Sequence, residues 1–160
     1  MSTRQNARQN ISPDASDILP FSATIEVRDA CLCLHVQRAA RMLARRFDEA
    51  LRPFDLTSGQ FSLLMSLNRP EPPTIGSVAT LLAMDRTTLT ANLKPLERRD
   101  LLKVTIDKED KRSRRLVITE AGRKLLHKAY PVWKSTHVEV EFRIANGSAE
   151  QLRETLRSLA

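Results

Sequence analysis

Apolar residues recur every three or four positions along most of this chain, which is the spacing of one buried face of an α-helix. The spacing predicts one long helix that starts at about Val27 and ends by Pro53. A second helix is predicted to begin at Thr57 and to extend to about Asn68, because Thr57 and Gln60 have the spacing of a capping box. The pattern therefore predicts a mostly helical protein.

Two more helices are predicted directly after a proline-rich break at residues 69–73. Thr74 can cap the first of them, and Asp85 can cap the second. Only Ala83 and Met84 separate the apolar stripe of the first helix from the cap of the second. Helices joined by so short a turn cross at a steep angle, which is typical of a helix-turn-helix.

The helix after Asp85 has two chemically different faces. Leu89, Leu93 and Leu96 recur at the spacing of a buried face. The face that points away from them offers hydroxyl, methyl and cationic groups, which suit the bases and phosphates of DNA. The predicted DNA-contacting residues of this helix are Thr87, Thr88, Thr90, Ala91, Lys94 and Arg98. Pro95 lies within the helix and is expected to bend it.

Residues 102–106 and 115–118 alternate between apolar and polar side chains, which predicts the two strands of a β-hairpin. The apolar residues Leu102, Val104 and Ile106 are expected to join the core. The charged run DKEDKRSR between the strands could be only a solvated hairpin tip. Because it follows a helix whose exposed face is also cationic, we interpret it as a wing that follows the DNA backbone into the minor groove. The predicted wing contacts include Lys111, Arg112 and Arg114.

Two helices are predicted after the hairpin. Thr119 can cap a long helix that stops near Gly147, with a kink at Pro131. Ser148 and Gln151 form a second capping box, and Leu152, Leu156 and Leu159 follow at helical spacing. The helices that flank the hairpin region carry more apolar surface than so small a domain can bury, which predicts a homodimer.

The expected organisation is an α+β fold, mostly α with a small β-hairpin. It places a winged helix-turn-helix DNA-binding region at residues 53–119 and a helical dimerisation region at residues 21–52 and 120–160. The polar residues 1–20 are expected to form a disordered arm, because they have too few apolar side chains to offset the entropy of ordering.

Composition agrees with a polyanionic partner such as double-stranded DNA. The 160 residues carry a net charge of +7, and residues 85–115 hold ten Lys and Arg against six Asp and Glu. No apolar run approaches the roughly 20 residues that span a bilayer, and the N-terminus lacks the apolar centre of a signal peptide. We therefore expect a soluble cytoplasmic protein with no membrane partner.

The order of these elements resembles the MarR family of bacterial transcription regulators over about residues 27–160. The motifs that carry the resemblance are LTSGQFSLLMSL at 56–67, TIGSVATLLAMDRTTLTANLKPLERRDLL at 74–102 and DKRSRRLVITEAG at 110–122. The resemblance implies a homodimer on a palindromic DNA site and a small-molecule or redox trigger. It also implies that Asp110 and Arg112 brace each other in the wing, with the Arg112 side against the minor groove.

Cys33 lies where related organic-hydroperoxide sensors carry their reactive cysteine. Those sensors surround the thiol with tyrosines, whereas the matching positions here are Gln37 and Phe47. A thiol without cationic or hydroxylic neighbours reacts slowly, so a structural, buried cysteine is favoured over a redox sensor. Cys31 and Cys33 point in different directions on one helix, which argues against a disulfide between them.

The remaining candidate chemistry is sparse. Only Cys31 and His35 share a helix face, whereas a zinc site needs four ligands, so neither a metal nor another cofactor is expected. No nucleophile and base occur at catalytic spacing, which argues against an enzyme. Trp133 is interpreted as core or dimer interface, although it could also line a pocket where members of the family bind aromatic acids and phenols.

Overall fold

The computed structural model describes residues 18–144 and 148–159, and it confirms a mostly helical fold with one antiparallel hairpin. The elements are α1 Phe21–Ala30, α2 Leu32–Leu51, a 3-10 turn Arg52–Phe54, α3 Ser58–Leu67, α4 Ile75–Leu81, α5 Arg86–Arg98, β1 Leu102–Ile106, β2 Arg114–Ile118, α6 Glu120–Phe142 and α7 Ala149–Ser158. The chain separates into two compact units, with a boundary after Ala40.

The unit before this boundary corrects the prediction of one long first helix. Cys31 has an extended backbone (φ −72°, ψ 104°) and separates α1 from α2. Its thiol accepts a hydrogen bond from the Leu34 N–H at 3.4 Å, so Cys31 takes the place of a capping residue. Periodicity does not reveal this break, because cysteine is not among the usual capping residues. The helix also begins earlier than predicted, at Phe21, directly after Pro20.

Residues 1–17 of the predicted disordered arm lie outside the described residues. Residues 18–20 precede α1, and the side chains of Ile18 and Leu19 are exposed. None of the residues of α1 is buried within the chain.

The second unit has a core of leucines from most of its elements. Leu51, Leu64, Leu89, Leu96 and Leu102 are completely inaccessible to solvent. The predicted inward face of α5 is confirmed, since Leu93 is also buried. The helix-turn-helix is therefore held by the same core that holds α3 and the hairpin.

The turn between α4 and α5 is tight. Ala83 adopts a left-handed backbone (φ 50°), and the Met84 N–H donates to the Ala79 carbonyl at 2.9 Å. Thr74 and Asp85 cap the two helices, as predicted. The helix α5 continues through Pro95 to Arg98.

The hairpin pairs β1 with β2 in antiparallel register, from Leu102 opposite Ile118 to Ile106 opposite Arg114. The proline-rich segment joins its outer edge, where the Leu116 N–H donates to the Pro73 carbonyl at 2.9 Å. This arrangement needs no N–H from the proline, which has none. The prediction that Ile106 belongs to the core is wrong: its side chain is 60% exposed, because β1 leaves the core as the hairpin projects outward.

The last two helices have the predicted caps. The Thr119 hydroxyl accepts from the Gly122 N–H at 3.0 Å, and the Ser148–Gln151 capping box is formed. The long helix α6 ends at Phe142, and the predicted stop near Gly147 falls outside the described residues. No described helix has the length and apolar character to span a membrane.

Candidate nucleic-acid interface

The outer face of α5 includes all the side chains that the spacing of its leucines predicts to be exposed. All six predicted contact residues of this helix are exposed, namely Thr87, Thr88, Thr90, Ala91, Lys94 and Arg98. They lie opposite the buried leucines, so the core determines which side chains α5 presents. Arg86 and Asn92 are exposed on the same helix and were not among the predicted contacts.

Asp85 stabilises the first turn of α5 through Thr88. Its carboxylate accepts from the Thr88 N–H at 2.8 Å and from the Thr88 hydroxyl at 2.6 Å. The hydrogen bond from the Thr88 hydroxyl, followed by the one from its N–H, holds the pKa of Asp85 below its ordinary value. Because the Thr88 hydroxyl already donates to Asp85, its methyl group is the part most free to contact a base.

The base of the wing is held by a pair that sequence reasoning missed, Asp107 and Arg115. Asp107 is 6% exposed, and its carboxylate accepts from Arg115 Nε at 2.5 Å. The same carboxylate accepts from the Glu109 N–H at 2.9 Å, and Arg115 Nη1 donates to the Pro72 carbonyl at 2.9 Å. The pair thus joins both strands to the proline-rich segment. In the sequence, the only indication of this pair is that Asp107 begins the charged run and Arg115 directly follows it.

The wing tip folds around Asp110. Its carboxylate accepts from the backbone N–H of Arg112 at 2.9 Å, and its carbonyl accepts from the Ser113 N–H at 2.9 Å. The expected brace between Asp110 and Arg112 is therefore a hydrogen bond that the Arg112 backbone N–H donates to the carboxylate, and it leaves the Arg112 side chain exposed. Arg114 Nη1 donates to the carbonyls of Lys111 and Ser113 at 3.0 and 3.1 Å.

A cleft of about 430 Å³ separates the wing tip from α5. Three of its lining side chains are arginines, Arg86, Arg112 and Arg114, and one is the acid Asp110. The guanidinium of Arg86 lies over Gly76, where a Cβ would come within 3.3 Å of Arg86 Nη2. The cleft therefore gathers positive charge between the helix and the wing.

Arg98 and Arg99 differ in role although they are adjacent. Arg98 is exposed at the end of α5. The guanidinium of Arg99 donates to the carbonyls of Asp55 and Phe54, the latter at 3.2 Å. Arg99 thereby fastens the end of α5 to the segment that precedes α3.

Three aromatic side chains of the second unit lie around Trp133 on α6. The ring centroid of Trp133 lies 6.3 Å from that of Phe47, 5.8 Å from that of Phe61 and 6.0 Å from that of Tyr130. His137 stacks on it at 4.8 Å. Trp133 packs against the core, in agreement with the interpretation of this residue as a core residue.

A cavity of about 530 Å³ lies beside this cluster, between α3 and α6. Its apolar lining comes from Met65, Leu126 and Tyr130, and its polar lining from Asn68, Arg123 and His127. Arg123 Nη1 donates to Asn68 Oδ1 at 3.0 Å. The cavity can therefore accept a flat apolar molecule with one anionic or hydroxyl group.

Cys31 and Cys33 are both free thiols. Cys33 is exposed within the chain, which contradicts the expectation of a buried cysteine, and Gln37 Nε2 donates to its sulfur at 3.1 Å. Cys31 lies outside both helices, so the argument that two residues on one helix cannot bridge no longer applies. In the described part of the chain, no group of three or more His, Cys, Asp or Glu side chains could hold a metal ion.

A helix-turn-helix followed by a cationic two-stranded wing defines the class of winged-helix DNA-binding proteins. Comparison with known proteins narrows this class. The MarR family profile matches residues 56–113. The crystal structure of the Mycobacterium tuberculosis transcriptional regulator MosR in complex with DNA is 36% identical in sequence, with a TM-score of 0.74, over 81% of this chain and 92% of that one.

Two further relatives agree. The transcriptional regulator SarZ of Staphylococcus aureus is 26% identical over 127 residues, which is 79% of this chain and 84% of SarZ. CouR from Rhodococcus jostii, in a crystal structure with p-coumaroyl-CoA, is 25% identical with a TM-score of 0.71, over 82% of this chain and 92% of CouR. The chain belongs to the MarR family and is a DNA-binding transcriptional regulator. Its fold and relatives are those of regulators, not of enzymes.

Proposed function

We propose that this protein is a homodimeric repressor that binds a pseudo-palindromic operator in double-stranded DNA. The observation that carries the proposal is the placement of the outer face of α5 and the arginines of the wing on one leucine core. Two such helices, one from each protomer, would enter successive major grooves about 34–36 Å apart.

Within each half-site we assign separate roles to the contact residues. The Thr87, Thr88 and Ala91 side chains would contact base edges, since methyl groups suit thymine and hydroxyls suit several bases. Thr90 would contact either a base or a phosphate, because its hydroxyl also donates to the Arg86 carbonyl at 2.7 Å. Lys94 and Arg98 would bind phosphates, which position the helix without reading sequence.

In the wing, Asp110 would hold the backbone of the tip while Lys111, Arg112 and Arg114 approach the DNA. Arg112 is the best placed for the minor groove, because its guanidinium is exposed and its backbone is fixed by Asp110. A narrow minor groove attracts arginine through its negative potential.

The test is a titration of selected operator DNA with Arg112→Ala, across a series of salt concentrations. We expect weaker binding to all sequences and a salt slope that is smaller by about one unit for each phosphate that the variant no longer binds. Lys134→Gln, an exposed change on α6, is the matched control and should leave binding unchanged. Unaltered affinity and slope in Arg112→Ala would remove the wing from the interface.

The proposed domain organisation assigns DNA binding to residues 53–119 and dimerisation to residues 21–52 and 120–160. What supports the second assignment is exposed apolar surface in the flanking helices. In the first unit it comes from Phe21, Val27, Leu32 and Val36. In the second unit it comes from Val138 and Phe142 on α6 and from Leu152, Leu156 and Leu159 at the end of the chain.

We further propose that a small aromatic or phenolic ligand releases the repressor from DNA. The cavity between α3 and α6 supports this, because it joins an apolar wall to Arg123 and His127. The spacing of the two DNA-binding regions in the dimer must match the operator. A ligand that binds a dimer with a different spacing more tightly would shift the population away from the DNA-bound state. The crystal structure of CouR bound to p-coumaroyl-CoA is a precedent for ligand binding by a relative.

Trp133 offers a direct test of ligand binding, since it is the only tryptophan in the chain and stacks on Tyr130. Titration with aromatic acids and phenols should quench or shift its fluorescence, and the same ligands should release DNA. Arg123→Gln should weaken an acid about tenfold through loss of a charged hydrogen bond, and a neutral phenol less. An acid that releases DNA equally from the wild type and from Arg123→Gln would have to bind outside the cavity between α3 and α6.

A thiol switch at Cys33 is the second candidate, and the exposure of this thiol favours it. A thiolate at Cys33 would attack an organic hydroperoxide and form a sulfenic acid, with release of the alcohol. Peroxide treatment should then release DNA from the wild type and not from Cys33→Ser. Cys31→Ser tests whether the neighbouring thiol completes a disulfide, and equal release by wild type and Cys33→Ser would end the thiol hypothesis.

A further inference from the structure

The cleft between α5 and the wing tip contains more positive charge than its own residues neutralise. Arg86, Arg112 and Arg114 line it, and Asp110 is its only acid. Among the described residues, no ion pair involves the guanidinium of Arg86 or Arg112, and Asp110 bonds to a backbone N–H. Like charges gathered without partners repel each other, so an anion in the cleft would lower the free energy of this arrangement.

The chemistry of the cleft lining suits an oxyanion. Arg86 enters from the first turn of α5, and Arg112 enters from the wing opposite. Thr74 and Thr90 add hydroxyl groups to the lining. Guanidinium groups bind phosphate oxygens through parallel N–H bonds, which gives both strength and direction.

Gly76 makes room for this arrangement. It lies in the first turn of α4, and its missing side chain leaves the space that the end of Arg86 occupies. A larger residue at this position would push the guanidinium of Arg86 aside. The sequence thus combines a long cation at position 86 with the smallest residue at position 76.

We infer that this cleft binds one phosphodiester of the DNA strand that passes between the major groove, occupied by α5, and the minor groove, approached by the wing. The inference rests on the proposed function, because it needs both elements on the same duplex. Arg86 would be the principal ligand of that phosphate, while Arg112 continues from the rim of the cleft toward the minor groove. Arg86 then contributes affinity without reading sequence, in contrast to Thr87 and Thr88 next to it.

The experiment is a double-mutant cycle between Arg86→Gln and DNA in which single phosphates are replaced by neutral methylphosphonates. The duplex is one selected from random sequences by the wild-type protein. Arg86→Gln should weaken binding about tenfold, the effect of losing a charged hydrogen bond. At one phosphate the neutral DNA should weaken the wild type by a similar factor and leave Arg86→Gln almost unchanged.

Lys134→Gln is the matched control, since it removes one exposed charge from α6 and leaves the exposed apolar side chains proposed for the dimer, such as Val138 and Phe142, unchanged. Each methylphosphonate substitution should weaken the binding of Lys134→Gln by the same factor as that of the wild type. If the effects of Arg86→Gln and of the neutral phosphates are additive at all positions, the cleft does not bind DNA and the inference is wrong. If the wild type shows no salt-dependent DNA binding, the proposed function itself fails, which is a different result.

A free oxyanion is the other source of the same chemistry. Inorganic phosphate is therefore compared with chloride at equal ionic strength, for wild type and Arg86→Gln. Competition by phosphate that requires Arg86, together with coupling at one DNA phosphate, supports the inference. Competition without that coupling would identify the cleft as a site for a free anion and would overturn its assignment to DNA.

Discussion

At the scale of single residues, Gly122 has the least room for a side chain among the glycines that the structure describes. A Cβ at this position would lie 2.2 Å from the Leu101 carbonyl oxygen and 2.9 Å from Ile118 Cγ1. Both neighbours are held, since the Leu101 carbonyl accepts from the Thr119 N–H at 3.1 Å and Ile118 is buried in the core. We expect Gly122→Ala to lower the free energy of unfolding by about 2–3 kcal/mol, as overpacking does in tight sites.

Urea unfolding of the two variants Gly122→Ala and Gly59→Ala gives a matched comparison. Gly59 lies in α3, and the nearest atom to its Cβ position is Thr57 Oγ1 at 3.9 Å. Gly59→Ala should stabilise the protein by roughly 0.5–1 kcal/mol, because it reduces the entropy of the unfolded chain. Equal effects of the two changes would contradict the close approach at Gly122.

Asp107 makes the stability of the wing depend on pH. The Glu109 N–H, and then Arg115, hold the pKa of this carboxyl below its ordinary value, although burial acts in the opposite direction. The unfolded value is about 3.9, so the stabilisation is complete above it and is lost as the pH falls through the lower folded value. We expect Asp107→Asn to be less stable than the wild type at neutral pH, by an amount that shrinks in acid.

The measurement is urea unfolding of both proteins between about pH 2 and pH 7, the range in which a carboxyl group titrates. Glu109→Gln changes the next exposed acid and keeps the backbone N–H that Asp107 accepts. It should differ little from the wild type throughout. A constant gap between wild type and Asp107→Asn at every pH would show that the ionised carboxylate is not what stabilises the wing.

At the scale of elements, the proposed interface on α5 gives Thr88 two separate roles, one in stability and one in recognition of DNA. The Thr88 hydroxyl donates to Asp85, while its methyl group belongs to the outer face. Thr88→Ser keeps the hydroxyl, so we expect an altered base preference at one position with little change in Tm. Thr88→Val keeps a methyl surface and loses the bond, so we expect about 1 kcal/mol lower stability with the base preference retained.

Selection of binding sites from random duplexes measures the preference, and thermal unfolding measures the stability. The proposed role of Thr88 fails if Thr88→Ser selects the same sequences as the wild type with the same affinity. The cap would be unimportant if Thr88→Val unfolds at the wild-type temperature.

At the scale of the whole molecule, the proposed dimer should depend on the exposed end of α6. Phe142 is 92% exposed in the chain, which is a large apolar area for a protein in water. We expect Phe142→Ser to weaken dimerisation at least tenfold, because burying a phenylalanine side chain contributes about 1.5–3 kcal/mol in each protomer. Operator affinity should fall with it, since both recognition helices must bind together.

Sedimentation equilibrium over a range of concentrations measures the association, and Lys134→Gln on the same helix serves as the control. A dimer of unchanged strength in Phe142→Ser would place the interface elsewhere. A monomer that retains full operator affinity would contradict the need for two helices.

Local patterns were sufficient for the helix-turn-helix. The leucines at 89, 93 and 96 predict which side of α5 is buried, and the caps at Thr57, Thr74 and Asp85 predict where three helices begin. These features succeed because they depend on residues within one or two helical turns of each other. The exposed face of α5 follows from the same spacing.

Other features depended on contacts between distant residues, which periodicity does not encode. Ile106 alternates like a core residue but lies where the hairpin has left the core. The break at Cys31 needed a thiol to accept a backbone N–H. Arg86 belongs to the cationic cleft because it lies beside Gly76, ten residues away in sequence.

The sequence by itself determined the order of the helices from α3 onward, the hairpin, the family and the chemistry of the face that α5 presents. Each of these follows from short-range spacing or from a motif. Only the tertiary structure decided that Asp107 pairs with Arg115 and that Arg86 joins the wing arginines around one cleft. The physical reason is that such sites form when the core brings separate segments together, and their charges acquire a role only from that proximity.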